Sequence, residues 1–162
     1  MRIVSGVALL ALTCSVACAG KNKAASPPTA GSGAGAAAAA RMTADDVDAR
    51  MKVIGPASGS LRMKLMANQL ADAAKDAQTL AVAFGDVERF FQQNNKSDAV
   101  MWAQQARMAA SAAAGAATAG DGMKAVAAAD TMQANCKQCH GVYREGDAQT
   151  GFRIKPGTLS TP

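Results

Sequence analysis

Aromatic residues are scarce in this chain and histidine almost absent: 162 residues hold one Trp, one Tyr, four Phe and one His, His140. With a single imidazole, no site built within one chain can use two histidine ligands. Apart from Cys14 and Cys18 near the start, the only cysteines are Cys136 and Cys139, so a closed four-ligand zinc site is short of donors. Charge of one sign is not concentrated anywhere. The 17 Lys and Arg against 12 Asp and Glu give +5 spread along the chain, without the basic block that nucleic-acid binding requires. The apolar run at residues 3–12 is too short to cross a bilayer. What is plentiful is alanine and methionine, a composition suited to closely packed helices with room between them for something bulky.

Residues 1–18 read as an export signal, with Arg2 as the positive start, an apolar core, and small residues after it. Two processing routes fit. Ala17-Cys18-Ala19 suits an ordinary peptidase site before Gly20. Ser15-Val16-Ala17-Cys18 instead resembles a lipobox, with Ser15 where leucine is more usual, and would leave Cys18 as a lipid anchor at a membrane. Residues 19–42 are low-complexity Gly, Ala, Ser and Pro and predict a flexible linker. The folded domain is expected over 43–145. Residues 146–162 show no period and predict a loosely ordered tail, with Phe152 and Ile154 able to dock one short stretch.

Within 43–145 the apolar positions keep alternating three-four spacing. Thr43 with Asp46 is a start signal, and Val47, Met51, Ile54, Ser58, Leu61 and Leu65 form a first stripe, in which Gly55-Pro56 predicts a kink or a stop. Leu70, Ala73, Ala77, Leu80, Phe84, Val87 and Phe91 form the second. Ser97 and Asp98 are candidate caps for a third, carried by Ala99, Trp102, Ala106, Ala109, Ala113 and Ala116. Gly120-Asp121-Gly122 is a turn, and the last stripe reads Met123, Val126, Ala129, Met132, Cys136, Cys139 and Tyr143. Four segments of roughly 33 Å each with short connections predict an all-α, up-down antiparallel four-helix bundle.

Cys136-Lys137-Gln138-Cys139-His140 is a C-x-x-C-H run, the attachment signature of a c-type haem. On a helix its three functional side chains fall at i, i+3 and i+4 and project from one face. Two thiols there can each form a thioether with a haem vinyl group while the imidazole reaches the iron as proximal ligand. A redox C-x-x-C is the competing reading, but such a pair usually follows a strand, and no strand pattern precedes Cys136. The expectation is one haem c per chain, attached near the end of the last helix, and an export signal agrees with covalent attachment outside the cytoplasm.

Four such helices, with C-x-x-C-H in the last, Tyr143-Arg144 after it, Ala119-Gly120-Asp121 before it and Met51-Lys52-Val53-Ile54-Gly55 in the first, resemble the cytochrome c′ family over residues 43–144. The resemblance implies a periplasmic haem protein of one of two kinds. Five-coordinate members leave one face of the iron open and bind NO or CO. Low-spin relatives complete the coordination with a first-helix methionine and carry electrons. Matching the first helices places Met51 at the distal position, where it would be an iron ligand or an uncoordinated cap. The resemblance also gives Arg144 a place beside the proximal imidazole or a propionate. Arg50 is a weaker propionate candidate, since the family's arginine stands about four residues before the distal residue, where this chain has Val47. Tyr143 is expected to pack beside the haem.

The reading is therefore an electron-transfer cytochrome with His140 and Met51 as axial ligands, not an enzyme, with a gas-binding protein as the alternative. Its partners would be redox proteins, NO or CO in the alternative, no nucleic acid, and by analogy a second copy of the chain in a homodimer. Location would be the periplasm, with or without a lipid tether.

Overall fold

A computed structural model describes residues 41–159. The signal, Cys18, the linker up to residue 40 and the last three residues of the tail lie outside the described residues.

Four helices account for most of the chain: α1 (Ala44–Met66), α2 (Leu70–Gln93), α3 (Ser97–Thr118) and α4 (Gly122–Tyr143). Thr43 caps α1 in a reciprocal box with Asp46. Pro56 lies inside α1, which runs on through it, so the Gly55-Pro56 step does not stop the helix. Three-residue turns join the helices, reversing through left-handed residues at Asn68, Asn95 and Gly120. Connections that short make each helix antiparallel to the one before it, and the four pack as a bundle. Ser97 and Asp98 do not cap α3 as expected. The cap position is Lys96, whose ammonium offers the helix amides no acceptor, and the Asp98 side chain accepts from Tyr143 of α4.

The core is divided between large and small residues. Helix α2 supplies Leu80, Phe84, Val87, Phe90 and Phe91, all buried, and α3 faces it with Ala99, Ala103, Ala106, Ala110, Ala113 and Ala117. An alanine face lets two backbones approach closely, and α2 against α3 is the most extensive helix pair. The seam between α1 and α4, by contrast, is the sparsest of the four.

In α4 the inward line is Ala125, Ala129, Met132, Asn135, Cys139 and Tyr143. Met123 and Val126, expected on the inner stripe, stand in solvent at 86% and 40% exposure. Alanine is common on every side of this helix, so apolar spacing does not fix its rotation in the first turns.

Beyond α4 the tail forms a small antiparallel ribbon of β1 (Arg144–Glu145) and β2 (Arg153–Ile154). The amide of Lys155 donates to the Tyr143 carbonyl at 2.8 Å, and Ile154 packs on the core. The tail is thus more regular than its composition suggests. Gly146 closes the ribbon at φ +89°, where an added Cβ would collide with the Gly151 carbonyl. Gly146→Ala should therefore destabilise the ribbon by more than about 1 kcal/mol. Hydrogen exchange checks this: the Lys155 amide should lose protection while amides of α2 keep theirs.

Candidate functional site

The last two turns of α4 bring Cys136, Cys139 and His140 together. Both thiols are free; Cys139 is buried and Cys136 half-buried against the core. Burial pushes the Cys136 thiol up to about 11. It pushes Cys139 to about 12, with the neighbouring Cys136 and Asp98 adding to the rise. Thiols protonated at neutral pH are poor nucleophiles, which argues against a dithiol redox catalyst, whose attacking sulfur needs a depressed pKa.

His140 is half-buried, and its imidazole makes no hydrogen bond to any described residue. Burial, and then the charge of Arg144, hold it below the ordinary histidine value. Both effects favour the neutral ring, which keeps a lone pair and is the form that binds a metal.

Two helices, α2 and α3, converge on the end of α4. The Tyr143 hydroxyl donates to Asp98 Oδ1 at 2.7 Å, from the last turn of α4 to the first turn of α3. The Tyr143 ring packs against Phe91 near the end of α2, with centroids 4.9 Å apart, and Phe91 meets Phe90 edge-on at 5.1 Å. This hydroxyl holds the Asp98 carboxyl below the usual carboxylate range. Tyr143 is pushed upward, first by burial and then by Asp98. The turn that carries Cys139 and His140 is thereby pinned on two sides.

Register across the α1–α4 seam follows from Arg62 and Asp130, whose charged ends lie 3.7 Å apart. Eleven residues toward the start of α1 stands Met51; eleven toward the end of α4 stands Gly141, beside His140. Equal rise in two antiparallel helices puts Met51 level with His140, to within about one turn. Met51 is half-buried between the inward positions Val47 and Ile54.

Other expected site residues lie elsewhere. Arg50 is turned to α2, its Nε 2.7 Å from Asp86, which also holds Arg89. Arg144 caps α4, donating its amide to the His140 carbonyl, and its guanidinium lies 4.4 Å over the Phe152 ring. Asp98 and Asn135 were not anticipated at the site. Asn135 is buried beside Cys136 and bonds the Thr131 carbonyl one turn back. A polar residue on an inner face carries no apolar-periodicity signal.

Among the described residues no three His, Cys, Asp or Glu side chains gather as a metal-binding group. A covalently held haem asks for a different arrangement: sulfurs bonded to the porphyrin edge and only the imidazole on the iron. Two free thiols, an imidazole without a hydrogen-bond partner among the described residues and an adjoining sparse seam fit that demand. The cleft higher in the seam, about 80 Å³ between Leu61, Leu65, Val126, Ala129 and Met132, is well below the roughly 300–1,000 Å³ of a ligand pocket. Seating a porphyrin requires α1 and α4 to part, which costs least where packing is least.

No protein-family model, curated protein or solved structure matches the chain.

Proposed function

We propose that this protein carries electrons through one covalently attached haem, with Cys136 and Cys139 as thioether donors, His140 as proximal ligand and Met51 as distal ligand. One observation carries the proposal: Cys136, Cys139 and His140 share the last two turns of α4, pinned by Tyr143, beside the sparsest seam of the bundle. The haem would supply a one-electron couple whose potential is raised by paired histidine and thioether ligation. The chain's own part is positional. Tyr143, Asp98 and Phe91 fix the direction of the His140 turn, and Val47 and Ile54 hold Met51 inward from α1. Outer-sphere electron transfer needs no general acid or base. The protein is proposed to be a periplasmic carrier, the location resting on the export signal read in residues 1–18.

The visible spectrum tests the distal ligand. The ferrous protein should show sharp low-spin bands that CO leaves unchanged. Met51→Ala should convert them to a high-spin spectrum and open the site to CO. An immediate CO shift in the unaltered protein would make it a gas binder, and an unchanged spectrum in the variant would remove Met51 from the iron.

A further inference from the structure

Pairing of the cations divides the molecule into two regions. Along the shaft and at the far end, each Lys and Arg is held by a carboxylate, as in Arg62 with Asp130, Lys64 with Asp76, Arg107 with Glu88 and Lys124 with Asp121. Among the described residues, the cations without a carboxylate partner are Arg41, Lys96, Lys137, Arg144 and Lys155. All five lie at the end of the bundle that carries His140, or within two turns of it. Arg41 rests on the Gln93 carbonyl at the end of α2, and Lys96 immediately precedes α3. Lys155 is tied by its amide to Tyr143. Lys137 stands three residues before His140 on α4, and Arg144 follows the helix as its cap and first ribbon residue, so the two charges lie before and after the imidazole in the chain.

The carboxylates of this region, Asp98, Glu145 and Asp147, stay anionic and offset part of that charge: Asp98 accepts from Tyr143 and also acts on Lys96, Glu145 holds Arg153, and Asp147 folds onto the amides of Gln149 and Thr150. They are outnumbered by Lys96, Lys137, Arg144, Arg153 and Lys155. A separate acidic group, Asp45, Asp46 and Asp48, opens α1. The end is therefore positive on its α3, α4 and ribbon side and negative at the start of α1. A flat anionic membrane would meet both sides at once. A protein with an acidic patch of limited size can sit on the positive side alone.

On the electron-carrier reading, we propose that the α3, α4 and ribbon side of this end is the docking surface for an acidic redox protein, seated over the turn that bears His140. Uncompensated charges steer a partner of opposite sign and set its orientation, an effect that salt screens.

The test keeps charge location apart from net charge and needs no haem for its readout. Fluorescein-labelled poly-L-glutamate, standing in for an acidic protein surface, is titrated by anisotropy at low salt. The chain is compared with a K96E/K137E/K155E variant and with an R62E/K75E/K124E variant of identical net charge. Circular dichroism confirms that each is helical. Relative to the parent, the first variant should bind about tenfold or more weakly and the second less than about twofold more weakly, and about 0.5 M salt should erase the difference. Equal losses in both variants would overturn the proposal. So would binding to phosphatidylglycerol vesicles that the first variant loses while its poly-L-glutamate binding stands, which would make the surface a membrane contact. Soret absorbance on the same preparations reports the haem separately, so either reading can fail without the other.

Discussion

Serine at both Cys136 and Cys139 should reduce covalently bound haem from one per chain to none. The measurement is the mass of the exported protein, with absorbance after denaturation as a second readout. The parent should retain its Soret band when unfolded, because thioether bonds survive loss of the fold. The double variant should release whatever it binds, and each single variant should hold haem by one sulfur in reduced yield. The fold should tolerate these changes. Cys136 is only half-buried, and a serine hydroxyl at 139 can bond the carbonyl one turn back, so the cost is about 1 kcal/mol. Helical circular dichroism should therefore persist while the haem is lost. If the parent, made where haem ligation machinery operates, has the mass of its amino acids alone, the electron-carrier reading falls. If the double variant keeps covalent haem, attachment does not run through these sulfurs.

How much of this was legible in the sequence depends on what each helix offered as a signal. In α2, Leu80, Phe84, Val87 and Phe91 alternate with charged and polar residues, and all four are buried as their spacing requires. In α3, alanine and a single Trp carry the pattern, yet Ala99, Ala106, Ala109 and Ala113 are inside and Trp102 and Ala116 partly so, because the opposite face is marked by Gln104, Gln105 and Ser111. Helix α4 lacks that contrast at its start: Ala125, Ala127, Ala128 and Ala129 surround Val126, so Ala125 turns in and Met123 turns out. Spacing also gives no access to pairs remote in sequence. Asp98 looked like a cap for its own helix, and only the packing of α3 against α4 brings Tyr143 within reach of it. Arg50 reads equally well as a propionate partner or a surface ion pair; the closeness of Asp86 on α2 decides its direction in the fold. The placement of Cys136, Cys139 and His140 near the end of one helix, by contrast, was legible because their spacing is local and helix geometry alone sets it.

Phe91→Ala should be the most damaging of the substitutions near the site. Its ring is 1% exposed and wedged between Phe90 and Tyr143, so truncation leaves a cavity where α2 meets the end of α4. The expected loss is about 3–5 kcal/mol, a fall in melting temperature on the order of 10–20 °C for a domain of this size. Tyr143→Phe separates packing from polarity at the same place. It keeps the ring against Phe91 and removes only the hydroxyl bonded to Asp98, at about 1 kcal/mol near neutral pH. The pH dependence of that smaller loss has a defined sign. Tyr143 depresses the folded-state pKa of Asp98, so the bond contributes fully above the unfolded value of about 3.9 and fades as pH falls from there through the folded value. Denaturant melts should show the parent and Tyr143→Phe separated at pH 7 and converging below about pH 4. A gap that persists undiminished in acid would mean that the hydroxyl stabilises the fold without its carboxylate partner. In that case the end of α4 would be held by Phe91 alone, and the orientation of His140 would rest on packing rather than on the link to α3.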